Sequence, residues 1–299
     1  MTSTLASSRA CTVRNGDIEL AVHEYGPPDA PTIVLVHGWP DTHHLWSGVV
    51  PLLADEFHVV AYDVRGHGES TNPPDVSDFR LSELAKDLFA VIDATSSEPV
   101  HLLAHDWGSV TGWEAVCEPG AERRIASFTS ISGPNLDHLG WWVRDRLARP
   151  TPRNVAGPLS QLVSSAYTAF FMMPGLPRWF FGLLGTERNW RLALRFMEGM
   201  PVDKAQFAPT LRADMVSGLR IYRANIAQRL LNPRERHTEV PVQLLINTRD
   251  VAVRAAGYAD TERWVRRLVR QELPTGHWLP YSQPTVVAEA TRQFVGSLR

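Results

Sequence analysis

Short apolar runs rich in β-branched residues punctuate the first half of the chain: TIVLVHG (32–38), HVVAYD (58–63), PVHLLAH (99–105) and IASFTSIS (125–132). Each has the length and character of a strand buried on both faces. Between them Leu81, Leu84, Leu88 and Ile92 recur at helical spacing, and a further helix is expected from Trp107 to about Cys117. Such alternation predicts a mostly parallel sheet with helices on both faces. From residue 134 to 238 it stops, and the segment is rich in Trp, Phe, Arg and Pro. Here Leu211, Met215, Leu219, Tyr222, Ile226 and Leu230 fall on one face of a single helix. The strand pattern resumes at VPVQLLIN (240–247), with a helix expected around 260–268 and a last one from about Pro284 to Leu298. Pro284 suits a first helical turn, with Ser282 or Gln283 near the start. The chain therefore reads as an α/β core of residues 1–133 and 239–299, interrupted by a helical insert over 134–238. An insert at that place is expected to form a cap, or lid, over the carboxyl ends of the strands, where open α/β sheets bind ligands.

Composition adds exclusions. A chain of 299 residues, 44% of them hydrophobic, is long enough to bury a large core. A net charge of −2 argues against a nucleic-acid binder, which normally presents a basic face. Arginines such as Arg266 and Arg267 read as a solvated helix face. Two cysteines, Cys11 and Cys117, are too few for a multi-bridge framework, so a reducing, cytoplasmic setting is expected. The N-terminal MTSTLASSRACTVRNG lacks the apolar stretch of a signal peptide. The most apolar window, TAFFMMPGLPRWFFGLLG (168–185), is broken by Pro174, Pro177 and Arg178, so no membrane span is expected. No metal-ligand spacing or phosphate loop is visible, and no cofactor is expected. Oligomeric state is open.

The chemistry gathers at a few turns. In AHDWG (104–108), a strand runs into a helix through small residues on either side of Asp106. A sharp turn of this kind lifts its central side chain above the sheet, at the positive end of a helix, where a carboxylate is favoured. Asp106 could equally serve as an ordinary helix cap. Asp250 follows the strand at 240–247, and His277 lies in the loop before the last helix. Nucleophile, acid and histidine thus follow one another in an order in which catalytic triads occur. Asp137 is the alternative acid. HGWP (37–40) ends the first clear core strand, and the amides of Trp39 and Trp107 are candidates for an oxyanion hole.

HGWPD (37–41), DVRGHGES (63–70), HDWG (105–108), the late Asp250 and GHW (276–278) together resemble the epoxide hydrolase branch of the α/β-hydrolase superfamily, over nearly the whole chain. The resemblance implies an α/β-hydrolase fold whose cap supplies two tyrosines to the epoxide oxygen. Tyr222, in IYRAN, and Tyr167, before FFMMPG, stand where those residues are expected; as core-facing positions of amphipathic helices they also satisfy a packing role. Asp63 and Arg65 are expected to brace their loop. His37, His105, Trp107, Phe171 and Trp278 are expected against the substrate. The wider aromatic set of Phe170, Phe171, Trp179, Phe180 and Phe181 suggests that this substrate is apolar.

A carboxylate at the corner suits attack on saturated carbon. The product is an ordinary ester of Asp106, which water activated by His277 can hydrolyse, so an epoxide would become a vicinal diol. Haloalkane dehalogenases share the Asp nucleophile and a following Trp, which makes Trp107 compatible with either chemistry. Fluoroacetate dehalogenases carry Arg where this chain has Trp107. A serine esterase is disfavoured because Ser109 falls inside the helix. A binding protein that keeps the pocket without turnover is a further alternative. The expected partners are a small apolar epoxide and water, and the expected role is detoxification.

Overall fold

Strands β3 (Thr32–Val36) and β4 (His58–Tyr62) are buried at every position, and the rest of the fold is arranged to cover them. The computed structural model describes residues 9–199 and 205–298; residues 1–8, with which the N-terminal stretch begins, and 200–204 of the helical insert lie outside the described residues, as does residue 299. The other strands are β1 (Arg9–Asn15), β2 (Ile18–Tyr25), β5 (Val100–His105), β6 (Ile125–Ile131), β7 (Val242–Asn247) and β8 (Leu268–Leu273). They form one eight-stranded sheet in the order β1-β2-β4-β3-β5-β6-β7-β8. β2 pairs antiparallel with β1 and β4, and every other pairing is parallel. This is the mostly parallel sheet of an α/β-hydrolase fold.

The helices are α1 (Val50–Leu53), α2 (Leu81–Thr95), α3 (Trp107–Val116), α4 (Leu136–Leu147), α5 (Pro152–Ser164), α6 (Ala166–Met172), α7 (Leu176–Leu184), α8 (Glu187–Glu198), α9 (Leu211–Leu231), α10 (Leu279–Ser282) and α11 (Pro284–Gly296). α2 and α3 pack together, with α3 along β3, β5 and β6, while α1 rests on α11. Helices α4 to α9 intervene between β6 and β7. Among these, α9 touches α4, α6 and α7 and also the 3-10 turn Val76–Phe79 of the core. Its polar residues fasten that seat: Asn225 accepts the Leu81 amide at 2.9 Å and donates to the Phe79 carbonyl at 2.8 Å. Asp214 accepts the Gly68 amide at 3.0 Å. No helix among the described residues is long and apolar enough to cross a membrane.

Two elements depart from the sequence reading. The hairpin β1–β2 carries no apolar run, because an edge hairpin buries little. The helix expected around 260–268 is only the 3-10 turn Thr261–Arg263, and the chain then enters edge strand β8. β8 is exposed at its four central positions, so LVRQEL, interrupted by Arg, Gln and Glu, lacks the continuous apolar run of a buried strand.

Asp63 and Arg65 both act within their loop. Arg65 lays its guanidinium on Asp87, with contacts of 2.5 and 2.6 Å. Asp63 Oδ1 accepts the His43 amide at 2.9 Å and pairs with His43 Nδ1 at 2.8 Å, while Oδ2 accepts the Glu69 amide at 3.0 Å. His23, His43 and Asp63 bring potential metal-ligand atoms within 4.8 Å of one another, drawn from separate elements that no sequence spacing connects. The His23 and His43 rings stack at 3.7 Å, which sets their nitrogens side by side rather than aimed at one point.

Candidate active site

Asp106 sits between β5 and α3 with φ 52° and ψ −124°, a conformation that side-chain-bearing residues rarely adopt. Its own amide donates to the Ile131 carbonyl at 3.0 Å and its carbonyl accepts the Val110 amide at 3.0 Å, so both neighbours hold the strained turn. The side chain does not cap α3. It projects instead toward the turn after β3, where the Trp39 amide donates to Oδ2 at 2.8 Å. Gly38 permits this approach: a Cβ there would lie 2.3 Å from Oδ2 and 2.6 Å from the Trp107 nitrogen. Of the two amides expected around this oxygen, that of Trp39 makes the hydrogen bond, and the Trp107 nitrogen adjoins the same Gly38 turn.

The other carboxylate oxygen, Oδ1, is 3.6 Å from His277 Nε2. On the opposite edge of the ring, Nδ1 meets Asp250 Oδ2 at 2.9 Å. Asp250 is fixed in turn by the amides of Ala252 and Val253, which donate to Oδ1 at 2.7 and 2.9 Å. Burial would raise the Asp250 pKa, but the His277 charge and these donors outweigh it and hold the carboxyl below its usual range. For His277 burial acts downward, and the carboxylates of Asp250 and Asp106 overcome it, holding the imidazole well above its ordinary value. Asp137, the alternative acid, is engaged elsewhere, accepting Arg234 contacts at 2.9, 3.2 and 2.8 Å.

Asp106 and His277 open onto a cavity of about 220 Å³ between the sheet and helices α6 to α9. Phe171, Phe181, Trp190 and Trp278 line it, together with the Trp39 ring and both candidate tyrosines. Tyr222 is buried, and its hydroxyl is in hydrogen-bonding contact with the side chains of Trp107 and Tyr167. Tyr167 leaves 38% of its surface exposed, yet its hydroxyl end is buried beside Tyr222. Burial and the nearby Asp106 charge keep both phenols protonated far past neutral pH. Of the other aromatics, Trp179 and Phe180 face outward. The Trp107 ring packs at 4.9 Å against Tyr222 behind the cavity wall.

His37 and His105, expected against a substrate, do not line this cavity. Both are fully buried behind it. His37 Nδ1 meets the Gly38 carbonyl at 2.9 Å and Nε2 accepts the Val64 amide at 2.9 Å, so the ring shapes the turn that presents Trp39. His105 Nε2 lies 2.9 Å from the His277 carbonyl. Burial depresses both imidazoles, His37 to about 3 and His105 to about 4, so they stay neutral supports.

Two carboxyl groups near His277 have no counterpart in the sequence reading. Asp41, the last residue of HGWPD, accepts Trp278 Nε1 at 3.0 Å and the Tyr281 hydroxyl at 2.8 Å, and burial pushes it up to about 7. Glu198, the last residue of α8, rests on the loop that carries His277.

A family model described as the alpha/beta hydrolase fold matches residues 31–284. The chain is 42% identical over 301 residues to a protein of Mycobacterium tuberculosis named probable oxidoreductase EphD, a match that covers 98% of this chain and 50% of that protein. The chain thus spans about half the length of these curated relatives. It is 34% identical over 125 residues to epoxide hydrolase A of Mycobacterium tuberculosis, covering 42% of this chain and 38% of that protein. Among solved structures, a Bacillus megaterium epoxide hydrolase in complex with an inhibitor aligns over 96% of this chain and 100% of its own, with a TM-score of 0.77 and 19% identity.

Proposed function

The chain belongs to the α/β-hydrolase family, on its epoxide hydrolase branch, and from that premise we propose that it opens an apolar epoxide to a vicinal diol through an ester on Asp106. The observation that carries this reading is the pair of protonated tyrosine hydroxyls sharing one small apolar cavity with the Asp106 carboxyl group and His277. A cavity with these walls can hold an epoxide carbon near Asp106 while its oxygen faces the phenols. Helices α4 to α9 then serve as the cap over the core.

In the first step Asp106 Oδ1 attacks one epoxide carbon, the ring C–O bond breaks, and the departing oxygen takes a proton from the tyrosine pair. The second step hydrolyses the ester. Water gives a proton to His277 Nε2 and attacks the Asp106 carbonyl carbon, and the Trp39 amide, already 2.8 Å from Oδ2, supports the oxyanion. Collapse releases the diol, whose oxygen takes the proton from His277. The proton left on Asp106 restores the tyrosine.

Esterification itself prepares the second step. While Asp106 is ionised it helps keep His277 protonated. Once esterified it carries no charge, the imidazole pKa falls, and His277 releases its proton to solvent; the neutral ring can then accept one from the attacking water, and it is protonated again from solvent when Asp106 is regenerated. Asp250 continues to orient the ring throughout.

Trp107 is compatible with either chemistry, and it is the paired tyrosines on the cavity wall that favour the epoxide over a haloalkane. The reading is tested by offering a panel of epoxides and haloalkanes and quantifying diol and free halide in the same runs. Diol is expected. Halide in its place would transfer the function to dehalogenation and return the tyrosines to packing.

A further expected result concerns those tyrosines. Tyr222→Phe should slow ester formation by about 100-fold, the usual scale for loss of one donor to a developing oxyanion. Tyr167→Phe should have a smaller effect, because Tyr222 is the more deeply buried of the two. Stopped-flow measurement of the first step checks both, and unchanged kinetics in Tyr222→Phe would leave that residue a packing element.

A further inference from the structure

Helix α8 places a carboxyl group on the His277 loop from the side opposite to Asp250. Glu198 Oε2 accepts the Trp278 amide at 3.4 Å, which sets the carboxyl group against the main chain that carries His277. Its seat exists because residue 276 has no side chain: a Cβ on Gly276 would fall 1.7 Å from Oε2 and 2.6 Å from the carboxyl carbon. Gly276 is not among the glycines with a left-handed backbone, so this contact rather than its φ accounts for it. Trp190 of the same helix packs on Trp278 at 5.4 Å, giving α8 a second hold on the loop.

His277 is consequently gripped from several sides. Its Nδ1 is held by Asp250, and its carbonyl is approached by His105 Nε2 at 2.9 Å and by the Ser132 hydroxyl at 3.2 Å. These three partners belong to the core. The cap contributes Glu198, on the amide of the next residue, Trp278. Glu198 Oε1 is buried with no hydrogen-bond donor, an arrangement that an apolar residue filling the same space would avoid.

We propose that Glu198 is a positioning residue, a cap-borne clamp on the His277–Trp278 main chain that keeps His277 oriented, and its cationic form supported, while the cap is seated. The proposal rests on the reading of His277 as the group that activates water. It makes ester hydrolysis depend on cap seating: a displaced α8 would release the Trp278 amide next to His277 and withdraw a negative charge from the ring.

The titratable groups facing His277 are Asp250 and Asp106, His105 behind it, Asp41, and Glu198 from the cap. A carboxylate beside an imidazolium favours the protonated form, so removing the Glu198 charge should lower the His277 pKa. Glu198→Gln keeps an acceptor and loses the charge. Gly276→Ala keeps the acid and evicts it.

The test is an NMR titration of His277 in histidine-labelled protein: wild type, both single variants and the double variant. Glu198→Gln should lower the His277 midpoint by about half a unit or more. Gly276→Ala should lower it similarly and speed hydrogen exchange at the His277 and Trp278 amides by about tenfold or more. The double variant should match Gly276→Ala alone, since the evicted group has no charge effect left to lose. An unchanged midpoint in both single variants, or additive lowering in the double, overturns the proposal. In parallel, the acid limb of single-turnover hydrolysis is followed with styrene oxide as the probe, and it should move down with the same variants. If wild-type protein forms no ester with styrene oxide or the epoxide panel while the midpoints move as expected, the epoxide reading fails and the clamp stands.

Discussion

Asp106→Ala is expected to lower kcat/KM for epoxide hydrolysis by roughly four orders of magnitude or more, the scale on which removal of a covalent nucleophile acts. No other group replaces it. Ser109, the nearest hydroxyl downstream, lies inside α3 and hydrogen-bonds Ser130 and the Gly133 carbonyl, each at 2.7 Å. The folded state should survive. Alanine meets the same backbone strain as aspartate at φ 52°, and the chief loss is the acceptor for the Trp39 amide, costing about 1–3 kcal/mol when such a donor is left buried. Part of that is offset, because a charge is removed near Asp41 and the tyrosine hydroxyls. Two measurements check the expectation together: kcat/KM from diol formation and the thermal unfolding midpoint. Substantial residual diol from a folded variant would sink the assignment of Asp106 as nucleophile. Lost activity with a collapsed midpoint would call for Asp106→Asn, which keeps the shape and an acceptor.

What the chain discloses before folding depends on how far each signal must travel. The corner at Asp106 is legible because strand, small residues and helix are contiguous in AHDWG, and the backbone there is as strained as the pattern implies. His277 and Asp250 are legible through their order and the loops that hold them, and they meet at 2.9 Å. His37 and His105 are expected against the substrate, but both rings are spent on main-chain contacts behind the cavity, His37 in the turn after β3 and His105 on the His277 carbonyl, which only the tertiary fold reveals. Among the cap aromatics, a sequence cannot separate Phe171 and Phe181, which line the cavity, from Trp179 and Phe180, which face outward.

Glu198 shows the limit most clearly. It ends ERNWRLALRFME, and its partner Gly276 is remote in sequence. Only tertiary contact links the acid to the missing Cβ. The β8 strand was missed for a related reason, since its pairing with β7 supplies the order that its own side chains do not signal. In both cases the determining term is a long-range backbone contact, which neither periodicity nor composition encodes.

His277→Gln should separate the two chemical steps. Glutamine keeps a polar group of similar reach, and the Asp106 carboxylate can still open the epoxide with protons from Tyr222 and Tyr167. What disappears is an acceptor basic enough to take a proton from water. Ester hydrolysis should therefore slow by about 1,000-fold or more, within the range that general-base and related triad losses display. The ester should accumulate, and mass spectrometry should find the peptide containing Asp106 heavier by the mass of one epoxide. The order of steps gives this result its force. Loss of a residue needed only for binding or folding would diminish ester and diol alike, whereas loss of the water-activating base diminishes diol and lets ester build up. With Asp250 left unpaired beside the cavity, the variant should also be less stable than wild type, because a buried carboxylate loses the cation that holds its pKa down. A folded His277→Gln protein that consumes epoxide once and yields no adduct on Asp106 would remove His277 from the hydrolytic step.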